Sequence, residues 1–291
     1  MPSLLTPDLT EAYRSQGFVT LPGGVAPETL AALRAQLDDW IEDSRGHDEN
    51  YGTTENGKAR FDLEEGHTRE APRLRRVMNP CDISEAYEEA IRNAPFVDML
   101  AELIGPDVKF HHCKLNVKLP GMATHVDFHS DHAFEPHTNS DQVTALLLLD
   151  DMNESNGCLR VIPGSHRQFY DHFQNGRFVG AIDKDLAAEL APRSLPVVGK
   201  AGDVCLMHVM TLHGSGPNLG PSPRRLFIAE YTAADAWPLV KCKVLSRFTG
   251  EVVRGRPTRS CRLEAGIFDL PPYYKADSFF SVQGQKTAAP H

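Results

Sequence analysis

The sequence contains six cysteines but no C-x-x-C pair. Cys81, Cys113, Cys158, Cys205, Cys242 and Cys261 are scattered along the chain. That pattern reads as a reduced, intracellular protein with mostly buried thiols rather than a disulfide framework. Long apolar runs are also missing. The longest aliphatic stretch is Ala145 to Leu149, far short of the ~20 residues a membrane helix needs. The opening MPSLLTPDLTEAYR has neither a basic n-region nor an apolar h-region, so no secretory signal is expected and a cytoplasmic location is. Positive charge is in short supply too: 30 Lys and Arg against 39 Asp and Glu give a net charge of −9. That balance argues against a dedicated nucleic-acid binder. One segment runs the other way. Between 241 and 262, Lys241, Lys243, Arg247, Arg254, Arg256, Arg259 and Arg262 face only Glu251. The ordinary expectation is a solvated, loop-rich extension; contact with an anionic substrate or a partner subunit is the alternative. Internal repeats and low-complexity tracts are absent as well.

What is present suits a single globular unit. At 291 residues and 41% hydrophobic content, the chain can bury a core without help from disulfides or metals. Thr6-Pro7 predicts a helix start and Gly17 its end. Phe18, Val19 and Leu21 read as a short strand. Leu30, Leu33, Leu37 and Trp40 recur near the 3.6 period, which predicts a helix over 27–42. Residues 45–70 are polar and without period, the mark of a lid or a mobile cavity wall. Two short helices are expected at 83–92 and 95–104, the second ended by Gly105-Pro106. From 107 the texture changes to short strands: 108–112, 115–119, 143–149, 159–162, 204–208 and 226–231. Turn-rich clusters such as NESNG, PGSH and NLGPSP separate them. This alternation predicts a mainly β protein with flanking helices, and a jelly roll is the natural form. The parts are a mostly helical 1–106, a jelly-roll core over 107–232 and an extension over 233–291, together one domain. The closing QGQKTAAPH is expected to fray.

Residues 125–132 read His-Val-Asp-Phe-His-Ser-Asp-His. Alternate residues of a strand share a face, so His129 and Asp131 can approach one metal ion. With a third ligand from a distant strand they would form a 2-His-1-carboxylate triad, which leaves open positions for non-haem Fe(II) chemistry. An H-x-D by itself arises easily by chance, and His125 with Asp127 forms a rival pair of the same parity. His166 in PGSHR and Asn156-Gly157 are expected to be turn chemistry. His208 is expected in the core or on the pocket wall.

Longer motifs add more. FHSDHAFEPHTNSDQVTALLLLDDMNESNGCLRVIPGSHR and AGDVCLMHVMTLHGSGPNLGPSPRR, with the earlier GFVTLPG, resemble the phytanoyl-CoA dioxygenase family, which includes ectoine hydroxylase. The resemblance implies a cupin-like double-stranded β-helix that uses Fe(II), 2-oxoglutarate and O₂. It implies that His213 is the distal iron ligand, joining His129 and Asp131. Arg224, eleven residues on, takes the place of the family's arginine for the 2-oxoglutarate C5 carboxylate, a role suited to a planar guanidinium. Arg225, next to it, would leave the other face of the strand. Ser215, Asn116 and Lys118 fall where the family brings further co-substrate contacts. Family spacing favours 129 and 131 over 125 and 127. Because Asp131 keeps the carboxylate that related halogenases lack, halogenation is not expected. The implied reaction is hydroxylation of an unactivated C–H in a small molecule, with release of succinate and CO₂. Phe134, Glu135, His137 and Asn139 are the candidates for the substrate cavity. A cupin-type metalloenzyme without 2-oxoglutarate, and a catalytically silent metal-binding sensor, are the alternatives. Neither the substrate nor the oligomeric state is legible at this level.

Overall fold

The computed structural model describes residues 4–266, 270–271 and 282–283; the tail expected to fray lies largely outside them. Helix α1 (Pro7–Gln16) starts where Thr6 accepts the Leu9 amide and ends at Gly17, whose φ of 86° is left-handed. A side chain at Gly17 would strike His166 and Thr211, its Cβ lying 2.5 Å from each. Glycine is therefore required there both by conformation and by space. The other helices are α2 (Pro27–Ser44), α3 (Glu85–Asn93), α4 (Pro95–Ile104) and α5 (Lys184–Leu190).

The strands are β1 (Phe18–Leu21), β2 (Phe61–Leu63), β3 (Leu74–Met78), β4 (Val108–Lys118), β5 (Val126–His129), β6 (Gln142–Leu148), β7 (Leu159–Val161), β8 (Phe173–Gln174), β9 (Arg177–Phe178), β10 (Leu195–Pro196), β11 (Val204–His208), β12 (His213–Ser215), β13 (Arg224–Ala233) and β14 (Val252–Arg254). The large sheet runs β1-β11-β6-β13-β4-β3-β2, with β14 added to β4; the small sheet runs β10-β7-β12-β5. All pairings are antiparallel, and β8 with β9 forms a separate hairpin. This is the expected jelly roll.

Strand alternation builds two cores from one sheet. Phe227, Ala229 and Tyr231 of β13, with Val143, Ala145 and Leu147 of β6, turn outward onto Leu33, Leu37, Ile91 and Leu100 of the helices. Leu226 and Ile228, with Leu146 and Leu148, turn inward toward Leu159 and Val161 of the small sheet. Strand β6 is buried along its whole length, which explains its unbroken apolar texture.

Two expectations change in detail. The strands read at 108–112 and 115–119 are one eleven-residue strand. A bulge there pairs Glu230 with His112 but Tyr231 with Phe110, leaving His111 as the extra residue. The aperiodic stretch 45–70 also holds structure. Tyr51 bridges Phe61, β2 joins the large sheet, and buried Arg60 donates to the carbonyls of Thr53, Met78 and Asn79. Polarity hid this strand, because Arg60, Asp62 and Glu64 are buried with partners rather than exposed.

Candidate active site

His129 ends β5 and pairs across the small sheet with His213, which opens β12. Asp131 lies just past the strand, at the start of a 3-10 turn, so it reaches the site by a turn rather than by strand parity. The Asp131 Oδ1 lies 3.7 Å from His129 Nε2 and 3.9 Å from His213 Nε2. The two imidazole centroids are 4.2 Å apart. Each ring is oriented by the backbone: His129 Nδ1 sits 2.9 Å from the Asp127 carbonyl and His213 Nδ1 sits 3.0 Å from that of Thr211. A carbonyl only accepts, so Nδ1 carries a proton and Nε2 is the ring nitrogen each histidine presents to the site. Burial, then the neighbouring His129, push His213 down to about 4, so it is neutral at physiological pH. Burial alone would raise Asp131, but His213, His129 and Lys114 hold it well below the usual carboxylate range. Thr144 on β6 donates to its other oxygen, Oδ2, at 3.0 Å, turning Oδ1 toward the histidines. Two imidazoles and a carboxylate, with one side open to a cavity, are the donor set for a ferrous ion.

The cavity continues from the triad to Arg224. Arg224 opens β13 on the inward face and is buried; its Nε donates to the Gly157 carbonyl at 3.1 Å. Among the described residues no carboxylate pairs with it, and burial pushes its guanidinium down to about 10. Lys118 donates to Ser215 Oγ at 2.8 Å and to the Gly216 carbonyl at 2.5 Å. Burial, then repulsion from Arg224, push the amine down to about 6. Asn116 Oδ1 also faces this cavity, buried without a hydrogen-bond partner. A buried guanidinium, an amine and a hydroxyl form a cradle whose donors fit a carboxylate, with Asn116 beside them.

Turn residues build that cradle. Asn156 donates to the Asp151 and Pro223 carbonyls, fixing the entry to β13 beside Gly157. Gly157 has φ 75°, and a Cβ there would lie 2.7 Å from the Gly216 carbonyl. Asn218, the last residue of HGSGPN, donates to the carbonyls of Lys118 and Ser222. Arg225 leaves the opposite face, gripping Asp150 through two 2.8 Å contacts and reaching Asp38 on α2.

Other candidates lie elsewhere. His125 and Asp127 make an exposed pair 3.7 Å apart, and Asp127 contributes only its carbonyl to the site. His166 contacts the Arg14 carbonyl, and His208 Nδ1 accepts the Met210 amide. Phe134, Glu135, His137 and Asn139 do not line the cavity that joins the triad to Arg224. Phe134 packs edge-on against His129, Asn139 is tied to Asp235 and Arg262, and Glu135 and His137 belong to a separate histidine cluster. The wall instead carries Lys114, Arg75, Arg76, Thr124 and Thr144, none of which stood out as a motif.

A jelly roll with this triad at one end of its cavity and a buried arginine at the other defines the class of non-haem iron oxygenases that consume 2-oxoglutarate. The family model for phytanoyl-CoA dioxygenase (PhyH) matches residues 13–226, and the chain belongs to that family. A probable alpha-ketoglutarate-dependent hypophosphite dioxygenase of Stutzerimonas stutzeri is 38% identical over 70% of this chain and 72% of that protein. An ectoine dioxygenase of Bordetella parapertussis is 26% identical over 79% of this chain and 76% of that one. In three dimensions the chain is similar to EctD from S. alaskensis solved with 2-oxoglutarate and 5-hydroxyectoine. The TM-score is 0.68 at 23% identity, over 91% of this chain and 89% of that one. The protein is an Fe(II)- and 2-oxoglutarate-dependent dioxygenase.

Proposed function

We propose that His129, Asp131 and His213 hold the iron, and that Arg224, with Ser215, Lys118 and Asn116, binds the C5 carboxylate of 2-oxoglutarate. We propose further that the prime substrate is a small molecule carrying an oxyanion group. The observation that carries the co-substrate assignment is the buried Arg224, which has no carboxylate partner among the described residues. A guanidinium in that position needs an anion, and the triad at the far end of the same cavity sets the length of that anion. Bound iron supplies the activation of O₂. The protein holds the carboxylate, excludes water and presents one hydrogen of the substrate to the metal. The net change is oxidation of a substrate X–H to X–OH and of 2-oxoglutarate to succinate and CO₂, with one O₂ consumed.

Lys114, Arg75 and Arg76 line the cavity beside the triad, Lys114 paired with Glu230 and both arginines with Asp62, which makes this wall polar rather than apolar. The similarity to a hypophosphite dioxygenase supports an anionic substrate. The charge-paired polar wall suits a compact polar group better than an acyl chain. The scattered free thiols support a cytoplasmic setting. The test is substrate-dependent succinate release across hypophosphite, short phosphonates and carboxylates, ectoine and phytanoyl-CoA. Turnover confined to the small anions is expected; turnover with phytanoyl-CoA alone would overturn the substrate reading and leave the co-substrate reading intact.

A further inference from the structure

Beyond the triad, a second set of metal-binding side chains meets inside the fold. His111 is the extra residue of the β4 bulge, Glu135 lies four residues past Asp131, and Cys242 belongs to the extension after β13. Their donor atoms all lie within 4.8 Å of one another. One oxygen is common to them: Glu135 Oε2 is 2.6 Å from His111 Nε2 and 3.6 Å from Cys242 Sγ. His112 Nε2 lies 3.9 Å from that same oxygen. The other oxygen, Oε1, accepts the Lys243 amide at 2.5 Å, and Lys243 Nζ donates to the Phe134 carbonyl. His111, His112 and Glu135 are buried, while Cys242 is half-buried.

We infer that His111, Glu135 and Cys242 form a second, zinc-type metal site that clips the C-terminal extension to the loop following Asp131. Imidazole, carboxylate and thiolate together select a borderline-soft divalent ion over the hard cations. Around a tetrahedral zinc with bonds of about 2.0–2.3 Å, neighbouring donors sit about 3.4–3.7 Å apart. The Cys242–Glu135 spacing already matches this. The His111–Glu135 contact opens by about 1 Å when the ion replaces the shared proton. Burial pushes the Cys242 thiol up, and Glu135 pushes it further, so without metal it remains protonated; binding the ion displaces that proton to solvent. His112, its Nε2 3.9 Å from the shared Glu135 oxygen, is a further donor for the fourth position. The site supplies no catalytic group; it fixes the extension against Glu135.

The competing account is a buried His111–Glu135 ion pair with the thiol as a bystander, and the triad provides the control because it contains no sulfur. The full-length, metal-stripped protein is titrated with Co(II). A thiolate-to-cobalt charge-transfer band in the near ultraviolet is expected, together with a second bound equivalent by mass spectrometry of the metal content. The band should vanish in Cys242→Ser, persist in Cys261→Ser, and persist in His213→Ala, which weakens only the triad. Wild-type protein that binds cobalt without the band would overturn the inference whatever the variants do. A band that survives Cys242→Ser, or is lost in Cys261→Ser, would overturn it as well.

Discussion

Arg224 and Arg225 are adjacent in sequence, yet one faces the cavity and the other faces α2. Arg224→Ala should raise the 2-oxoglutarate requirement at least about a hundredfold, because losing one partner of a buried charged pair costs about 3–5 kcal/mol and each 1.4 kcal/mol is tenfold. Arg224→Lys should recover only part, since an ammonium lacks the planar fork. Arg225→Ala should leave that requirement unchanged and lower stability by about 2 kcal/mol through loss of its charged hydrogen bonds. Titrating 2-oxoglutarate and denaturant into both variants separates the two effects. A normal co-substrate response in Arg224→Ala would remove the carboxylate assignment. This difference was legible in the sequence because strand parity is a local rule. Thr144 was not, because its role depends on β6 passing behind Asp131, a contact between residues thirteen apart that no motif records. Thr144→Val keeps the shape and removes the hydroxyl. It should weaken Fe(II) binding by about 10–100-fold, the usual effect of removing a partner that orients a ligand. Unchanged affinity in an iron titration would show that Asp131 needs no such support. The four residues expected to line the substrate cavity illustrate the same limit. They follow Asp131 closely in sequence; Phe134 packs on His129, while Glu135, His137 and Asn139 lie outside the cavity that joins the triad to Arg224, which residues of β3 and β4 help to line.

Among the elements, regular ones were the more legible. Helices α1 and α2, and the strands β6 and β11, carry their own period or caps, and the structure places them within two residues of expectation. The segment 45–70 carries neither signal, since its strand pairs buried charges instead of apolar side chains. Its mobility should therefore be uneven. Residues 60–63 are fixed by Arg60 and by β2 pairing with β3, and they should exchange amide hydrogens as slowly as the sheet. The flanking stretches 46–50 and 65–72 are held by turns and by side-chain contacts such as His67 on the Ser44 and His47 carbonyls, not by a strand ladder, and should exchange faster than 60–63. Glu64 accepts a hydrogen bond from Thr124 at the cavity mouth, so ligand binding should slow exchange in 65–72 more than in 46–50. Hydrogen exchange with and without 2-oxoglutarate and an iron surrogate measures this. Uniformly fast exchange across 45–70 would mean that the whole segment moves as a lid.

The large sheet draws β1 to β3 from the N-terminal 106 residues, β4, β6, β11 and β13 from the core, and β14 from the extension. The basic segment is likewise tied down, with Arg247 on Glu88, Arg254 on Asp98 and Arg262 on Asp235. Exposed pairs of this kind contribute little singly, so the continuous sheet is what couples the parts. The chain should therefore unfold in one transition, with all parts reporting the same midpoint. Ligands that bind only the folded state stabilise it by about 2.7 kcal/mol at a hundred times their dissociation constant. For a chain of 291 residues that is about 4–5 °C in Tm. Adding an iron surrogate with 2-oxoglutarate should move the entire transition upward by that amount, and His213→Ala should abolish most of the shift. Calorimetry reads both quantities. Two transitions, with only the upper one responding to ligand, would show that residues 1–106 or the extension fold apart from the jelly roll. In that case strand pairing across the large sheet would not couple them, and the three-part division visible in the sequence texture would be a physical one.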